Sequence, residues 1–309
     1  VTIEQIKEQF YFREQSLSNF EQQADSRDLQ LFQALKMNFS PLAYGDVLDR
    51  LLKQSYPGTS DWLMKSKVFK HWLDISNRST SLLWLKGIPG AGKTFLSGAA
   101  IEEAKTRHQT IFAFATYVNQ NTTTAKSVLH SLLFQLADNN KFIRSSLVES
   151  SKQDLDSTKY VSQVFKTLLA SIGPIYIIVD GLDEMEALER GILLQQLTSM
   201  TECPEVKILV SSRPEDDIAN ILETKSKNIR IDDNNGQGIR LYIKQKVEEW
   251  MEVAKFSREA RGKIERLLIP IVANSNGSVT DGSRCRWTLL TIVFSKLLRD
   301  VSICSPCFR

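Results

Sequence analysis

Three short stretches hold the residues whose types and spacing could do chemistry. The first, "GIPGAGKT" at 87–94, fits G-x-x-x-x-G-K-[ST]. Gly87, Gly90 and Gly92, with Ile88, Pro89 and Ala91 between them, let a backbone curl until its N–H groups converge on phosphate oxygens. Lys93 brings a point charge to the terminal phosphates, and the Thr94 hydroxyl is placed to ligate Mg²⁺. The second stretch, "IYIIVDGLDE" at 175–184, runs from apolar residues into Asp180, Asp183 and Glu184. Three carboxylates there either hold a metal and a water or mark where a strand leaves the core. Asp180 directly follows Ile177, Ile178 and Val179, where a carboxylate is costly unless it serves a ligand, so it is expected to hold the metal. Asp183 and Glu184 follow a Gly–Leu turn and are candidates to orient or deprotonate an attacking water; a solvated turn is the competing reading for Glu184. The third stretch, "VSSRPED" at 210–216, puts Arg213 just past an apolar run. Arg213 could touch a γ-phosphate and report its presence. The same turn could start a helix with Pro214 at its first position, and the two readings are compatible.

These groups need elements to position them. "SLLWLKG" (81–87) predicts a strand entering the glycine-rich loop, and Leu96, Ala99, Ala100 and Ala104 predict a helix leaving it. Further strands are predicted at 110–117, at "PIYIIVD", at "VKILVSS" (206–212) and at "KNIRID" (227–232). Between them, apolar stripes predict helices over 124–138, 160–172 and about 187–200. Such alternation, with apolar strands, predicts a parallel sheet covered on both faces. Residues 1–54 read as helices, with Ile3, Ile6 and Phe10 on one face, Leu29, Phe32 and Leu35 on another, and a break at 38–45. "YPGTSDW" (56–62) reads as a turn before a helix carrying Trp62, Phe69, Trp72 and Leu73, and helices alone are expected from about 237 to 275.

The bulk properties exclude several classes. The 309 residues are 42% hydrophobic and 24% charged, which are ordinary globular values and argue against wholesale disorder. A net charge of +3, scattered along the chain, gives no basic groove for nucleic acid. Cys203, Cys285, Cys304 and Cys307 have no framework spacing, which points to a reduced, cytoplasmic chain. "CSPC" near the C-terminus lacks the flanking elements of a redox or zinc site, and "TLLTIVFSKLL" is too short to span a bilayer. His71, His108 and His130 are read as structural or solvated. The first residue is Val rather than Met, so a preceding stretch is expected.

In this order and spacing, "GIPGAGKT", "IYIIVDGLDE" and "VSSRP", with "YPGTSDWL" about thirty residues ahead, resemble the NACHT class of STAND P-loop NTPases. The likeness is strongest to fungal proteins with a nephrocystin-3-type N-terminal NTPase module, and it covers roughly residues 45–277. The resemblance implies an α/β fold: a five-stranded parallel sheet sandwiched by helices, in which another strand separates the phosphate-loop strand from the acidic one. N-terminal helices would precede it and a small C-terminal helical domain would follow. The expected divisions are 1–54 for the N-terminal helices, 55–235 for the NTPase domain, 236–277 for the helical domain and 278–309 for an atypical tail. The resemblance also implies slow hydrolysis of ATP or GTP with Mg²⁺, coupled to a switch. Phosphate contacts fall to Gly87 through Thr94, the metal to Thr94 and Asp180, water activation to Asp183 and Glu184, and γ-phosphate sensing to Arg213. Gly58 and Thr59 fall where the family contacts the base. Implied partners are the nucleotide, a second copy on activation, and proteins met through domains outside this chain, with no membrane and no specific nucleic acid.

The chain departs from that pattern after "IVANSNG", where "SVTDGSRCRWTLL" replaces an apolar helix; a different reading frame or splice form would account for it, or Leu289, Leu290, Val293 and Leu297 form a substitute helix. Three other functions stay open: an adaptor that binds nucleotide without hydrolysing it, a phosphotransferase, for which no Arg-rich lid is visible, and a nucleic-acid motor.

Overall fold

A computed structural model describes residues 25–39, 44–116, 124–150 and 152–254. The expected helix around Ile3 to Phe10, the helices beyond residue 254, the tail from 278 and its "CSPC" lie outside the described residues, as do residues 40–43 of the break at 38–45.

Five strands form one parallel sheet: β1 Leu82–Lys86, β2 Gln109–Phe114, β3 Ile175–Asp180, β4 Val206–Ser212 and β5 Lys227–Arg230. Their order is β2-β3-β4-β1-β5, so β4 separates β1 from the acidic β3. Register places Lys86 beside Ser212 and Arg230, and Phe114 beside Asp180, so one edge of the sheet gathers the carboxyl ends of all five strands. In open α/β sheets, ligands bind at that edge.

The strands read as continuous apolar runs because both faces are covered. Trp84, Ile177, Val179, Ile208 and Val210 face one core, with helices α6 (Ala125–Asp138), α9 (Thr158–Leu169) and α10 (Ala187–Met200). Leu83, Leu85, Tyr176, Ile178 and Leu209 face the other, with α2 (Tyr44–Gln54), α4 (Lys67–Leu73) and α5 (Lys93–Lys105). Alternate residues of one strand thus enter different cores. Phe32, on the helix α1 (25–39), is fully buried in the first core, and Lys36 pairs with Asp138 at 2.6 Å.

Four local departures have physical causes. The expected helix from Trp62 to Leu73 is two, α3 (Asp61–Lys65) and α4, because Ser66 turns extended at ψ 127° and accepts from the Phe69 amide. Residues between the predicted helices at 124–138 and 160–172 form α7 (Lys141–Glu149) and α8 (Lys152–Asp156); Asn140 caps α7 by accepting from the Phe142 and Ile143 amides. The helix α11 (Asp216–Lys225) starts two residues after Pro214, which precedes the capping residue Glu215. The fifth strand stops at Arg230 rather than at 232. Ile231–Asn234 instead forms a short helix, α12, ahead of α13 (Gly236–Ala254). Among the described residues, no helix is long and apolar enough to cross a membrane.

Candidate functional site

The phosphate loop is anchored before it turns. The Gly87 amide donates to the Ser212 carbonyl at 3.2 Å, carrying the β1–β4 pairing one residue past β1. Gly92 caps α5 at φ 89°, a left-handed backbone that an L side chain would strain, and Lys93 opens the helix. Lys93 Nζ donates to the carbonyls of Gly87 at 2.9 Å and Ile88 at 3.1 Å, so the ammonium lies across the loop. Burial pulls its pKa below the ordinary lysine value, and the charges of Asp183 and Asp180 oppose that pull.

Asp180 closes β3 and is 3% exposed. The hydroxyl of Ser97 donates to it at 2.7 Å and that of Ser211 donates as well, with the Thr94 hydroxyl nearby. Burial pushes this carboxyl up, while the three hydroxyls and Lys93 favour its charged form. A buried carboxylate ringed by hydroxyl oxygens matches the donor set of a hard divalent cation such as Mg²⁺. Thr94 and Asp180 are the residues that would hold it. Ser97 and Ser211 were not singled out from the sequence; Ser97 lies one helical turn past Lys93, and that spacing was the available signal.

Beyond Asp180 the chain turns through Gly181 at φ 81° into a single 3-10 turn, Leu182–Glu184. A Cβ on Gly181 would lie 2.5 Å from the Ala115 carbonyl oxygen. A carboxylate cannot occupy the position directly after the metal acid, so the water-activating candidates stand two and three residues further on. The structure gives those two different surroundings. Asp183 accepts from Arg213 twice, from Nε at 2.8 Å and from the backbone amide at 3.0 Å. Its side chain is 4% exposed, against 45% for Arg213. Both carboxylate oxygens are thus engaged by Arg213. Glu184 is half-buried on the same turn. Arg190 of α10 braces this region: it donates to the Met185 carbonyl and pairs with Glu215 and Asp217, just past Arg213.

A second hollow adjoins the loop. It is lined by Tyr56, Thr59, Gly92, Phe95, Asn235 and Tyr242, among others. The rings of Tyr56 and Tyr242 meet edge-on at 5.1 Å, and Phe95 lies 6.1 Å from Tyr242. Thr59 therefore sits where a planar base could lie against aromatic rings, whereas Gly58, at φ 84°, shapes the turn behind it. The three rings were not flagged by sequence reasoning, since they lie on three separate segments. His130 is a core residue whose Nε2 donates to the Leu155 carbonyl at 2.7 Å, while His71 and His108 are exposed.

Residues 58–213 match the nephrocystin 3 N-terminal family. Over 236 residues the chain is 27% identical to vegetative incompatibility protein HET-E-1 of Podospora anserina, a match covering 71% of this chain and 17% of that protein. The chain thus spans about a sixth of that relative's length. Two solved structures are among those matched: Cdc6p of Pyrobaculum aerophilum (14% identity, TM-score 0.42, 60% of this chain and 49% of that one), and a Walker-type ATPase of Pyrococcus abyssi (14%, 0.42, 76% and 74%).

Proposed function

This chain belongs to the nephrocystin 3 N-terminal family of NACHT-like P-loop NTPases, and from that premise we propose that it binds ATP, or GTP as the alternative, with Mg²⁺, and hydrolyses it slowly to drive a conformational switch. The observation that carries this reading is the meeting of Lys93 and Thr94 from one side of the sheet edge with Asp180 from another, across the intervening β4. The backbone amides of the 87–94 loop and the Lys93 ammonium would take the phosphates. Mg²⁺, when bound at Thr94 and Asp180, would supply charge neutralisation between the terminal phosphates. Glu184 is assigned to accept the proton of the attacking water, and Asp183 to hold Arg213 until a γ-phosphate draws it away. The ring-lined hollow beside Thr59 would take the base. The name of the Podospora relative, a vegetative incompatibility protein, supports placing the switch in self-recognition, with a second copy or a protein partner as its output.

A second reading is favoured by the Asp183–Arg213 pair: a module that binds nucleotide and leaves it intact, because acid and sensor occupy each other. One experiment separates the two. The purified chain is denatured and released nucleotide is identified, with Lys93→Ala as control, and phosphate release is followed for wild type and Glu184→Gln. Bound nucleotide in the wild type alone, with release lowered about 10²–10⁴-fold in Glu184→Gln, supports the switch. Binding without any release supports the adaptor, and an absence of nucleotide binding by the wild type rules out both.

A further inference from the structure

The segment after β5 grips the phosphate loop at two points. Asn235, 6% exposed, donates from Nδ2 to the Ala91 carbonyl at 2.7 Å. Its Oδ1 accepts from Trp62 Nε1 at 2.8 Å. Its backbone carbonyl accepts from the Ile239 amide in α13, at 2.9 Å. Three residues earlier, Asp232 accepts from the Ile88 amide, at 3.2 Å to each oxygen. The approach is close enough that side chains are excluded: a Cβ on Gly92 would lie 3.0 Å from Asn235 Nδ2, and one on Gly238 would lie 2.5 Å from Asn235 Oδ1.

We propose that α12 and Asn235 form a clasp on the phosphate loop, and that Asn235 is a positioning residue passing the loop's state to Trp62 and α13. This rests on the nucleotide-binding reading above. The carboxamide is chemically specific for the task. One end must donate to a carbonyl and the other must accept from an indole N–H, so neither a carboxylate nor an aliphatic side chain serves both. Holding the Ala91 carbonyl outward keeps the neighbouring amides turned toward the phosphates. When phosphates pull on those amides, the strain reaches Asn235 first. From there it has two exits: the indole of Trp62 on α3, beside the base hollow, and the first turn of α13. Asp232 adds a negative charge close to Lys93, which favours the charged ammonium there.

The decisive variant is Asn235→Asp in the full chain. It is isosteric and keeps an acceptor for Trp62, but it sets a second acceptor against the Ala91 carbonyl. Titration with ADP and Mg²⁺ is followed by Trp62 emission, taken as the difference between each protein and its Trp62→Phe counterpart. The clasp predicts a wild-type emission change on binding, an ADP affinity in Asn235→Asp reduced about tenfold or more, and no Trp62 response even at saturation. Affinity within twofold of wild type, or an unchanged Trp62 response, overturns it. Hydrogen exchange of the nucleotide-free chain gives a readout independent of binding. Asp232→Ala, on a partly exposed side chain, removes the other grip, and exchange must rise at 90–92 as well as at Ile88. A rise confined to Ile88 overturns the clasp. If the wild type binds no ADP, the nucleotide reading fails, and equal exchange in wild type and variant then removes the clasp as well.

Discussion

Replacing Gly181 by alanine tests why the acidic turn is built as it is. Two costs follow from its geometry. At φ 81° an L residue sits in the left-handed region, which costs roughly 1–2 kcal/mol. The new Cβ would also start 2.5 Å from the Ala115 carbonyl oxygen. That oxygen cannot simply retreat, because the Ala115 amide is bonded to the Asp180 carbonyl at 2.8 Å, continuing the β2–β3 ladder. Overpacking of this kind costs about 1–3 kcal/mol. Alanine also restricts the unfolded chain, which returns about 0.4–1 kcal/mol. The net expectation is a loss of about 1–4.5 kcal/mol. Relief has to come from the turn itself, where the Gly181 amide donates to both the Ser211 carbonyl and its hydroxyl. Moving that turn shifts Asp183 off Arg213 and displaces Glu184. Urea melts should therefore show the loss of stability, and phosphate release by the folded fraction should fall with it. A Gly181→Ala protein with wild-type stability and turnover would show that the turn is not sterically fixed, and the argument for displaced acids would collapse.

Three further outcomes are expected. Asp183→Asn keeps an acceptor for the Arg213 amide but puts a donor against Nε; with the Asp183 side chain almost fully buried the stability cost is about 1–3 kcal/mol, and turnover should fall far less than in Glu184→Gln. Near-complete loss in Asp183→Asn with a working Glu184→Gln would exchange the two roles. Ser212→Ala leaves the fully buried Trp84 Nε1 without its 2.8 Å acceptor, costing about 1–3 kcal/mol in a thermal melt, and the same change in a Trp84→Phe background should cost much less. His130 is held below its ordinary pKa by burial first and by Lys126, with the Leu155 carbonyl and Asp156 opposing. The unfolded chain therefore binds the proton more readily, so this contribution is intact above the unfolded value of 6.5 and is lost as pH falls from there through the lower folded value. Melts from pH 8 to 5.5 should show that decline, and His130→Gln should flatten it.

The sheet was legible because each strand is buried on both sides, which leaves an apolar run that needs no partner to be recognised. The burial of Asp180 was legible for the same reason: an acid directly after "IYIIV" stays in the core only where something bonds its carboxyl, and Ser97 and Ser211 do so. The fifth strand was overextended because Ile229 and Ile231 alternate as strand residues do. Both are indeed buried in one core, but the chain turns helical at Ile231, and Asp232 meets the Ile88 amide, a partner 144 positions away. Ser211 and Asn235 were invisible for a related reason, and Ser97 had only its spacing from Lys93 to mark it. A serine in a helix or strand, or an asparagine after a helix, resembles an ordinary polar residue until the fold brings its partner. The Asp183–Arg213 pair was hidden too, although both residues had been singled out, since spacing along a chain says nothing about which charges meet across two strand ends.

Energetics limit how the switch could work. Moving a two-state equilibrium from 1:99 to 99:1 takes about 5.5 kcal/mol of differential binding. A ligand at about a thousand times its dissociation constant, bound to one state only, supplies about 4.1 kcal/mol. Nucleotide alone thus falls short by about one and a half kcal/mol. A single charge-assisted contact remade between states is of that size. The Asp183–Arg213 pair is such a contact: a γ-phosphate that drew Arg213 away would leave the almost fully buried Asp183 carboxylate unpaired unless the turn moved with it. Holding the pair resists triphosphate, and breaking it strains the Leu182–Glu184 turn. On the proposed switch reading, a module so built would stay closed on diphosphate and would need a protein partner, or a second copy, to hold the triphosphate state open.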